Sequence, residues 1–320
     1  GVRLVGSEMC IRDRPHTGQA HAGLGRTLGV RAVLRAIVRE ARPKQWAKNV
    51  LVFAAPGAAG VLDNWSFLWK AVLTFVAFCL ASSGTYYWND IHDVDADRQH
   101  PTKQHRPIAS GELPLGVARV VGSLLLAGGI GLAFAIGWQL GLVTLAYVAL
   151  TTLYSTVLKH VAVVDLVAVA AGFVLRAIAG AVAVDVKMST WFVLCVSFGS
   201  LFIVTGKRFA ELRELGEGGG TRATLDEDTL TFLQTVLSVS VGATLVTYCI
   251  WAFEVREVSG SSWPFYELSI VPMLTALLRY TLILEQGHGA APEEIFAADR
   301  TLQVLGVVWA IVFGLGVYVG

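Results

Sequence analysis

The chain has 320 residues, 54% of them hydrophobic and 15% charged, with a mean hydropathy of +0.60; soluble domains carry roughly a quarter charged residues. Those figures exclude an ordinary soluble domain and a disordered chain and place the protein in a membrane bilayer. The net charge of +1 offers no basic excess for nucleic acid, and Cys79, Cys195 and Cys249 lie singly in apolar runs with Cys10 in a polar stretch, so no disulfide framework or zinc spacing exists.

Residues 1–44 read as a basic N-terminal tail, and residues 45–320 as the nine-helix transmembrane domain. Residues 1–14, with Ser7-Glu8-Met9-Cys10-Ile11-Arg12-Asp13-Arg14, look like translated sequencing-adapter read-through, so no inference rests on them. The tail has no apolar stretch followed by a small-residue cleavage site, so insertion is expected to use the first span. Arg31, Arg35, Arg39 and Arg42 recur at helical spacing, which predicts an amphipathic helix lying on anionic headgroups; substrate phosphate binding is the alternative.

Apolar runs long enough to cross a bilayer follow at about 46–62, 66–87, 115–136, 138–157, 163–183, 190–206, 230–252, 265–285 and 302–319. The fold class is therefore an all-α integral membrane protein with nine transmembrane helices. A barrel is excluded because strict alternation is missing. Nine crossings sort the loops into two sets. One holds the tail arginines, Lys44, Lys48, Arg98, Lys103, Arg106, Lys159, Lys207, Arg208, Arg213, Arg222 and Arg300; the other has little beyond Lys187 and Arg256. The positive-inside rule then puts the N-terminus and the charged loops in the cytoplasm and the C-terminus outside.

Directly after the second span comes Asn89-Asp90-Ile91-His92-Asp93-Val94-Asp95-Ala96-Asp97. On a continuous helix with Asn89 at zero, Asp90 falls at about 100°, Asp93 at about 40° and Asp97 at about 80°, whereas Asp95 falls at about 240° and His92 at about 300°. Four oxygen-bearing side chains share one face. Stacked acids destabilise a helix, and at its C-terminal end they also oppose the macrodipole, so a cation should compensate. Hard carboxylate and carboxamide oxygens without cysteine suit Mg²⁺, which typically bridges a few carboxylates to a substrate's phosphates. A solvated acidic cap is the plainer alternative, but acids leaving a transmembrane helix on one face favour the metal. His92, His100, His105, His160 and Asp95 read as surface groups.

Basic residues gather on the same side. Lys44 and Lys48 point one way at i, i+4 after Pro43, and Lys103 and Arg106 precede the turn-forming Pro107-Ile108-Ala109-Ser110-Gly111. Snorkelling and topology marking are the ordinary roles of such lysines. Deeper lie Asp165 and Arg176, on nearly one helix face but roughly 16 Å apart, too far to pair. Each needs another partner inside the bundle, which a polar cytoplasm-facing cavity supplies. Tyr154, Lys159, Lys207 and Arg208 close neighbouring spans on that side, outlining a positive mouth around an acidic metal site.

Asn89-Asp90-x-x-Asp93-x-x-x-Asp97 resembles the first aspartate motif of the UbiA superfamily of membrane prenyltransferases. Arg42-Pro-Lys-Gln-Trp-Ala-Lys-Asn49, Asp97-Arg-Gln-His-Pro-Thr-Lys103, Arg106-Pro-Ile-Ala-Ser-Gly111, Tyr154 to Lys159, Gly206-Lys-Arg-Phe-Ala-Glu211, Trp251-Ala-Phe-Glu254 and Pro292-Glu-Glu-Ile295 with Asp299-Arg300 are most similar to its actinobacterial decaprenyl-phosphate phosphoribosyltransferase branch. The resemblance runs from about residue 42 to the end of the chain. It implies a UbiA-like bundle of nine helices around a cavity, in the plasma membrane. It also implies Mg²⁺-dependent transfer of 5-phosphoribose from phosphoribosyl pyrophosphate to a polyprenyl (decaprenyl) phosphate lipid, releasing pyrophosphate, for cell-wall arabinan synthesis. Asn89, Asp90, Asp93 and Asp97 would be the catalytic set, with Mg²⁺ held by Asn89, Asp93 and Asp97 and Asp90 on the face margin. Lys44, Lys48, Lys103 and Arg106 would hold one group of phosphates, and Lys159, Arg176, Lys207 and Arg208 the other. Tyr154 would orient the ribose or a phosphate, and Asp165 would take a ribose hydroxyl or position a lysine.

Aromatic prenyltransferases of the superfamily carry a second aspartate motif between helices six and seven, where this chain has Lys207, Arg208, Glu211 and Glu214. That departure counts against the main rival, prenyl transfer from a prenyl diphosphate to an aromatic or other small acceptor. Asp226-Glu227-Asp228, near Gly218 to Gly220, reads as a flexible acidic loop without an assigned role. A transporter would need glycine-interrupted helices in corresponding halves; Gly128, Gly129, Gly131, Gly172 and Gly180 form no such pair and fit close helix packing. Nothing in the sequence sets an oligomeric state.

Overall fold

The computed structural model describes residues 30–215, 229–287 and 292–319. The N-terminal stretch 1–14, Arg26, Gly218 to Gly220, Arg222 and Asp226 to Asp228 lie outside them. The described chain is helical throughout, and seven helices are long and apolar enough to cross a membrane.

A short helix, α1 (Val30–Glu40), leads into a 3₁₀ helix over Pro43–Phe53 and a single α-helical turn, α2 (Ala54–Ala58). The first expected span therefore takes another form. Proline at its start, polar Lys44, Lys48 and Asn49, and Pro56-Gly57 near its end deprive it of a regular α-helical run. The long helix α3 (Trp65–His92) starts at an Asn64 cap and ends at Asp93, which also opens α4 (Val94–Gln99). Then come α5 (Leu115–Ile136), α6 (Trp138–Thr156), α7 (Val164–Ala183) and α8 (Thr190–Leu215). Of these α6 is not among the seven apolar helices; threonines, Gln139 and Tyr147 dilute its nineteen residues.

The last part of the chain is α9 (Leu230–Ser259), α10 (Phe265–Leu268), α11 (Ile270–Glu285), α12 (Pro292–Ala298) and α13 (Arg300–Tyr318). Large apolar side chains such as Leu124, Leu142, Val239, Val246, Val304 and Ile311 remain exposed on these helices, as expected where lipid is the solvent.

With little hydrophobic drive between helices in lipid, close approach through small residues positions the bundle. A Cβ on Gly180 of α7 would lie 1.7 Å from the Val52 carbonyl oxygen, and one on Gly129 of α5 would lie 2.6 Å from the Ala81 nitrogen of α3. Only glycine lets α7 lie against the 3₁₀ helix that carries Lys48 and Asn49. At the same end, α1 buries Ala36 against Tyr87, Ile108 and Leu113, and the Tyr87 hydroxyl donates to the Ile37 carbonyl at 2.7 Å. The basic tail helix is thus anchored to the bundle beside the end of α3.

Candidate active site

The aspartates leave the membrane on an interrupted helix. Asp93 breaks α3 from α4, yet Asp93 N donates to Asn89 O at 2.9 Å and Asp97 N to Asp93 O at 2.8 Å, so the four-residue repeat continues. Asp90 and Asp97 therefore still turn to one side. Arg106 meets both, with one guanidinium nitrogen 2.9 Å from Asp90 Oδ1 and 2.7 Å from Asp97 Oδ2. Asp93 faces Lys159 at 3.4 Å, and Asn89 donates to Asp90 Oδ1 at 3.3 Å. Asp95 points outward to Arg98 at 3.1 Å, and His92 is exposed.

Asp90 is 1% exposed and has a second arginine partner, Arg42, that comes from far away in sequence. Arg42 sits in the left-handed region at φ 52°, uncommon for a side chain with a Cβ, and is followed by Pro43. This bend ends the tail helix and turns the guanidinium onto Asp90 and over the Tyr86 ring, 4.9 Å from its centroid. Burial works against its charge, but Asp90 and Glu40 hold the Arg42 pKa above its ordinary value. Glu40, 1% exposed on α1, is a third carboxyl in this cluster. Burial first, then a hydrogen bond and the negative charge of Asp90, push its pKa up to about 8. Spacing gave no sign of Arg42 or Glu40 beside Asp90, because their partner lies some fifty positions on.

The cations form a second layer. Lys48 is half-buried and feels the charges of Lys207 on α8, Glu293 on α12, Arg176 on α7 and Arg42. Gln45 reaches Glu293 at 3.2 Å, which ties α12 to the 3₁₀ helix. Lys207 also lies 3.7 Å from Glu211. Lys44 is exposed on the first turn of that 3₁₀ helix, Lys103 is half-buried on a short turn before Arg106, and Tyr154 is half-buried near the end of α6.

Below them, Arg176 and Asp165 find the interior partners that their separation demands. Arg176 donates to Asn49 Oδ1 at 2.7 Å, to the Gly172 carbonyl at 2.8 Å and to the Tyr147 hydroxyl at 2.9 Å, with its guanidinium 4.6 Å from the Tyr147 ring centroid. Asp165, fully buried at the start of α7, pairs with buried Arg208 of α8. Both arrangements satisfy charges that would be costly alone. They also lock four segments, the 3₁₀ helix, α6, α7 and α8, under the aspartates. Asn49 and Tyr147 are part of this support; Asn49 closes the Arg42–Asn49 motif without a role of its own there, and no motif marks Tyr147.

Among the described residues, no group of three acidic, histidine or cysteine side chains is placed to hold a metal ion. Magnesium does not require such a cage, since one or two carboxylates plus substrate phosphates commonly suffice. Asn89, Asp93 and Asp97 supply hard oxygens within two turns, and the Asp93 side chain is 26% exposed. The donor chemistry fits a divalent ion whose shell a substrate completes.

A buried acidic helix end ringed by arginines and lysines suits a diphosphate, and the family model described as the UbiA prenyltransferase family matches residues 50–302. The chain belongs to that family. Solved structures of a UbiA homolog from Archaeoglobus fulgidus share the fold. The one bound to DMAPP and Mg²⁺ has a TM-score of 0.67 at 20% identity and covers 88% of this chain and 98% of its own. The one bound to Cd²⁺ has a TM-score of 0.66 at 19% identity over 89% of this chain and 98% of its own. Nearer in sequence are proteins named decaprenyl-phosphate phosphoribosyltransferase. That of Corynebacterium glutamicum is 41% identical over 88% of this chain and 87% of its own length. That of Mycobacterium tuberculosis is 42% identical over 89% of this chain and 95% of its own.

Proposed function

We propose that this UbiA-family protein transfers 5-phosphoribose from phosphoribosyl pyrophosphate to a polyprenyl phosphate, with release of pyrophosphate. The observation that carries the reading is the layering at the end of α3: carboxylates Asp90, Asp93 and Asp97 opposite Arg42, Arg106, Lys159 and the Lys48–Lys207 group. Its similarity over most of its length to proteins bearing that name supports the choice of substrates.

Asn89, Asp93 and Asp97 would hold Mg²⁺, which when bound neutralises the departing pyrophosphate. The protein's own groups do the rest. Lys44, Lys48, Lys103 and Arg106 receive one set of phosphates, and Lys159 and Lys207 the other, as preorganised positive charge around the sugar carbon. Arg176 and Arg208 act from below, through Asn49, Tyr147 and Asp165, which keep the lysines in place. Tyr154 orients the ribose or a phosphate. The lipid phosphate is already anionic at neutral pH and attacks the sugar C1 as an oxyanion, so no strong general base is needed.

The site then lies on the cytoplasmic side of the plasma membrane. The 3₁₀ helix explains how residues 43–58 match the length of a full span: eleven residues at about 2.0 Å each and five at about 1.5 Å reach roughly 30 Å, the thickness of the hydrocarbon core. With α6 and the seven apolar helices, this passage makes nine crossings, and the product would feed arabinan synthesis for the cell wall.

The rival reading, prenyl transfer to a small acceptor, uses the same acidic helix end and differs in its electrophile. Membranes carrying the protein, supplied with labelled phosphoribosyl pyrophosphate or a labelled prenyl diphosphate, separate the two. Loss of the phosphoribosyl donor with formation of a lipid-soluble product is the expected result; consumption of the prenyl diphosphate instead would overturn it.

A further inference from the structure

A cavity of about 390 Å³ lies at the end of the bundle opposite the aspartates. It opens between α2, the α7–α8 connection, the last turns of α9, and α13, and Phe192, Trp251 and Tyr266 line it. Its charged lining residues are Lys187 and Glu254. Among the described residues neither forms an ion pair, and Glu254 Oε2 is buried without a hydrogen-bond partner. Nearby Arg256 does not neutralise it, being engaged by Glu267 at 2.5 Å. An acid and a base thus line one largely apolar cavity without pairing with each other.

The depth of this cavity is marked by tryptophans. Trp65 at the start of α3, Trp138 at the start of α6 and Trp263 after α9 are all exposed at the same end, as in the aromatic belts that sit at headgroup level. A ligand that carries a cation, an anion and apolar chains, and is present at that depth, matches all three features.

We infer that this cavity binds the headgroup of a zwitterionic amine phospholipid in the leaflet away from the aspartates. The lipid phosphate lies on Lys187, its ammonium on Glu254 with the Trp251 ring alongside, and its acyl chains run over Val255 and Val317. The site is independent of the transfer reaction.

Native mass spectrometry of the purified full chain in detergent tests this, with phosphatidylethanolamine, phosphatidylglycerol and chain-free phosphoethanolamine as probes. Retention of phosphatidylethanolamine about tenfold tighter than phosphatidylglycerol is expected. Glu254→Gln should abolish that preference, and Lys187→Met, on an exposed connection, should weaken phosphatidylethanolamine binding about tenfold. Phosphoethanolamine should not bind at the same concentrations. Equal retention of the two lipids, unchanged binding in Lys187→Met, or phosphoethanolamine binding as tightly as the lipid would each overturn the assignment. Should Glu254→Gln fail to fold, the wild-type lipid preference and Lys187→Met still decide.

Discussion

Arg106 stands between two buried carboxylates, and its removal takes from Asp97 its arginine partner and leaves Asp90 with Arg42 and Asn89. Breaking one partner out of a buried charge cluster costs about 3–5 kcal/mol. Arg106→Met should therefore lower the melting temperature in detergent well below that of wild type, with Arg106→Lys in between; an unchanged melting curve would contradict the cluster. Glu40 predicts a pH effect of definite sign. Its pKa is raised from 4.5 to about 8, so across that interval the folded chain keeps a proton that the unfolded chain has released. Stability contributed by this group is therefore present at low pH and falls as pH rises through that window. Melting of Glu40→Gln from pH 5 to 9 should show a shallower decline than wild type, and identical slopes would refute the shift. The acids of this cluster were legible because an i, i+4 repeat is local. Arg42 and Glu40 were not, since a left-handed bend and a contact some fifty positions away leave no periodic signal.

At the level of elements, the 3₁₀ helix and α7 form the support on which Lys48, Asn49 and Arg176 depend. Their approach is set by Gly180, where a methyl group would meet the Val52 carbonyl. Overpacking of this kind typically costs about 1–3 kcal/mol. Gly180→Ala should lower thermal stability by that order and reduce activity, by shifting Asn49 off Arg176; Gly131→Ala, at a position with open space, is the control and should do neither. A Gly180→Ala protein as stable as wild type would disprove the close contact. Hydropathy located α3, α5, α7, α8, α9, α11 and α13 well, because each is a long apolar run. It also located α6, expected at 138–157 and found at Trp138–Thr156, and described residues 43–58 less well. Threonines in α6 satisfy their hydroxyls on their own helix, Thr151 to Tyr147 O at 2.9 Å for example, at a cost in hydropathy. In residues 43–53, Pro43 and the polar Lys44, Lys48 and Asn49 break up the apolar run, and hydropathy does not tell a 3₁₀ helix from an α-helix.

Across the whole molecule, the charges separate into two ends with different chemistry. One end concentrates acids and bases around the end of α3, and the other carries tryptophans and the Lys187–Glu254 cavity. The bundle belongs to a family whose solved members from Archaeoglobus fulgidus were captured with Mg²⁺ or Cd²⁺, so the fold by itself does not distinguish a sugar donor from a prenyl donor. The distinction rests on the basic residues facing the aspartates. The direct test is a single-turnover assay of purified protein with labelled phosphoribosyl pyrophosphate and a polyprenyl phosphate, with and without Mg²⁺, on wild type and Asp93→Asn. The account requires a phosphoribosylated lipid and pyrophosphate in equal amounts from wild type with the metal, and at least about a hundredfold less from Asp93→Asn, roughly 2.7 kcal/mol of transition-state stabilisation. A metal-independent reaction, or near-normal turnover by Asp93→Asn in a correctly inserted protein, would contradict it.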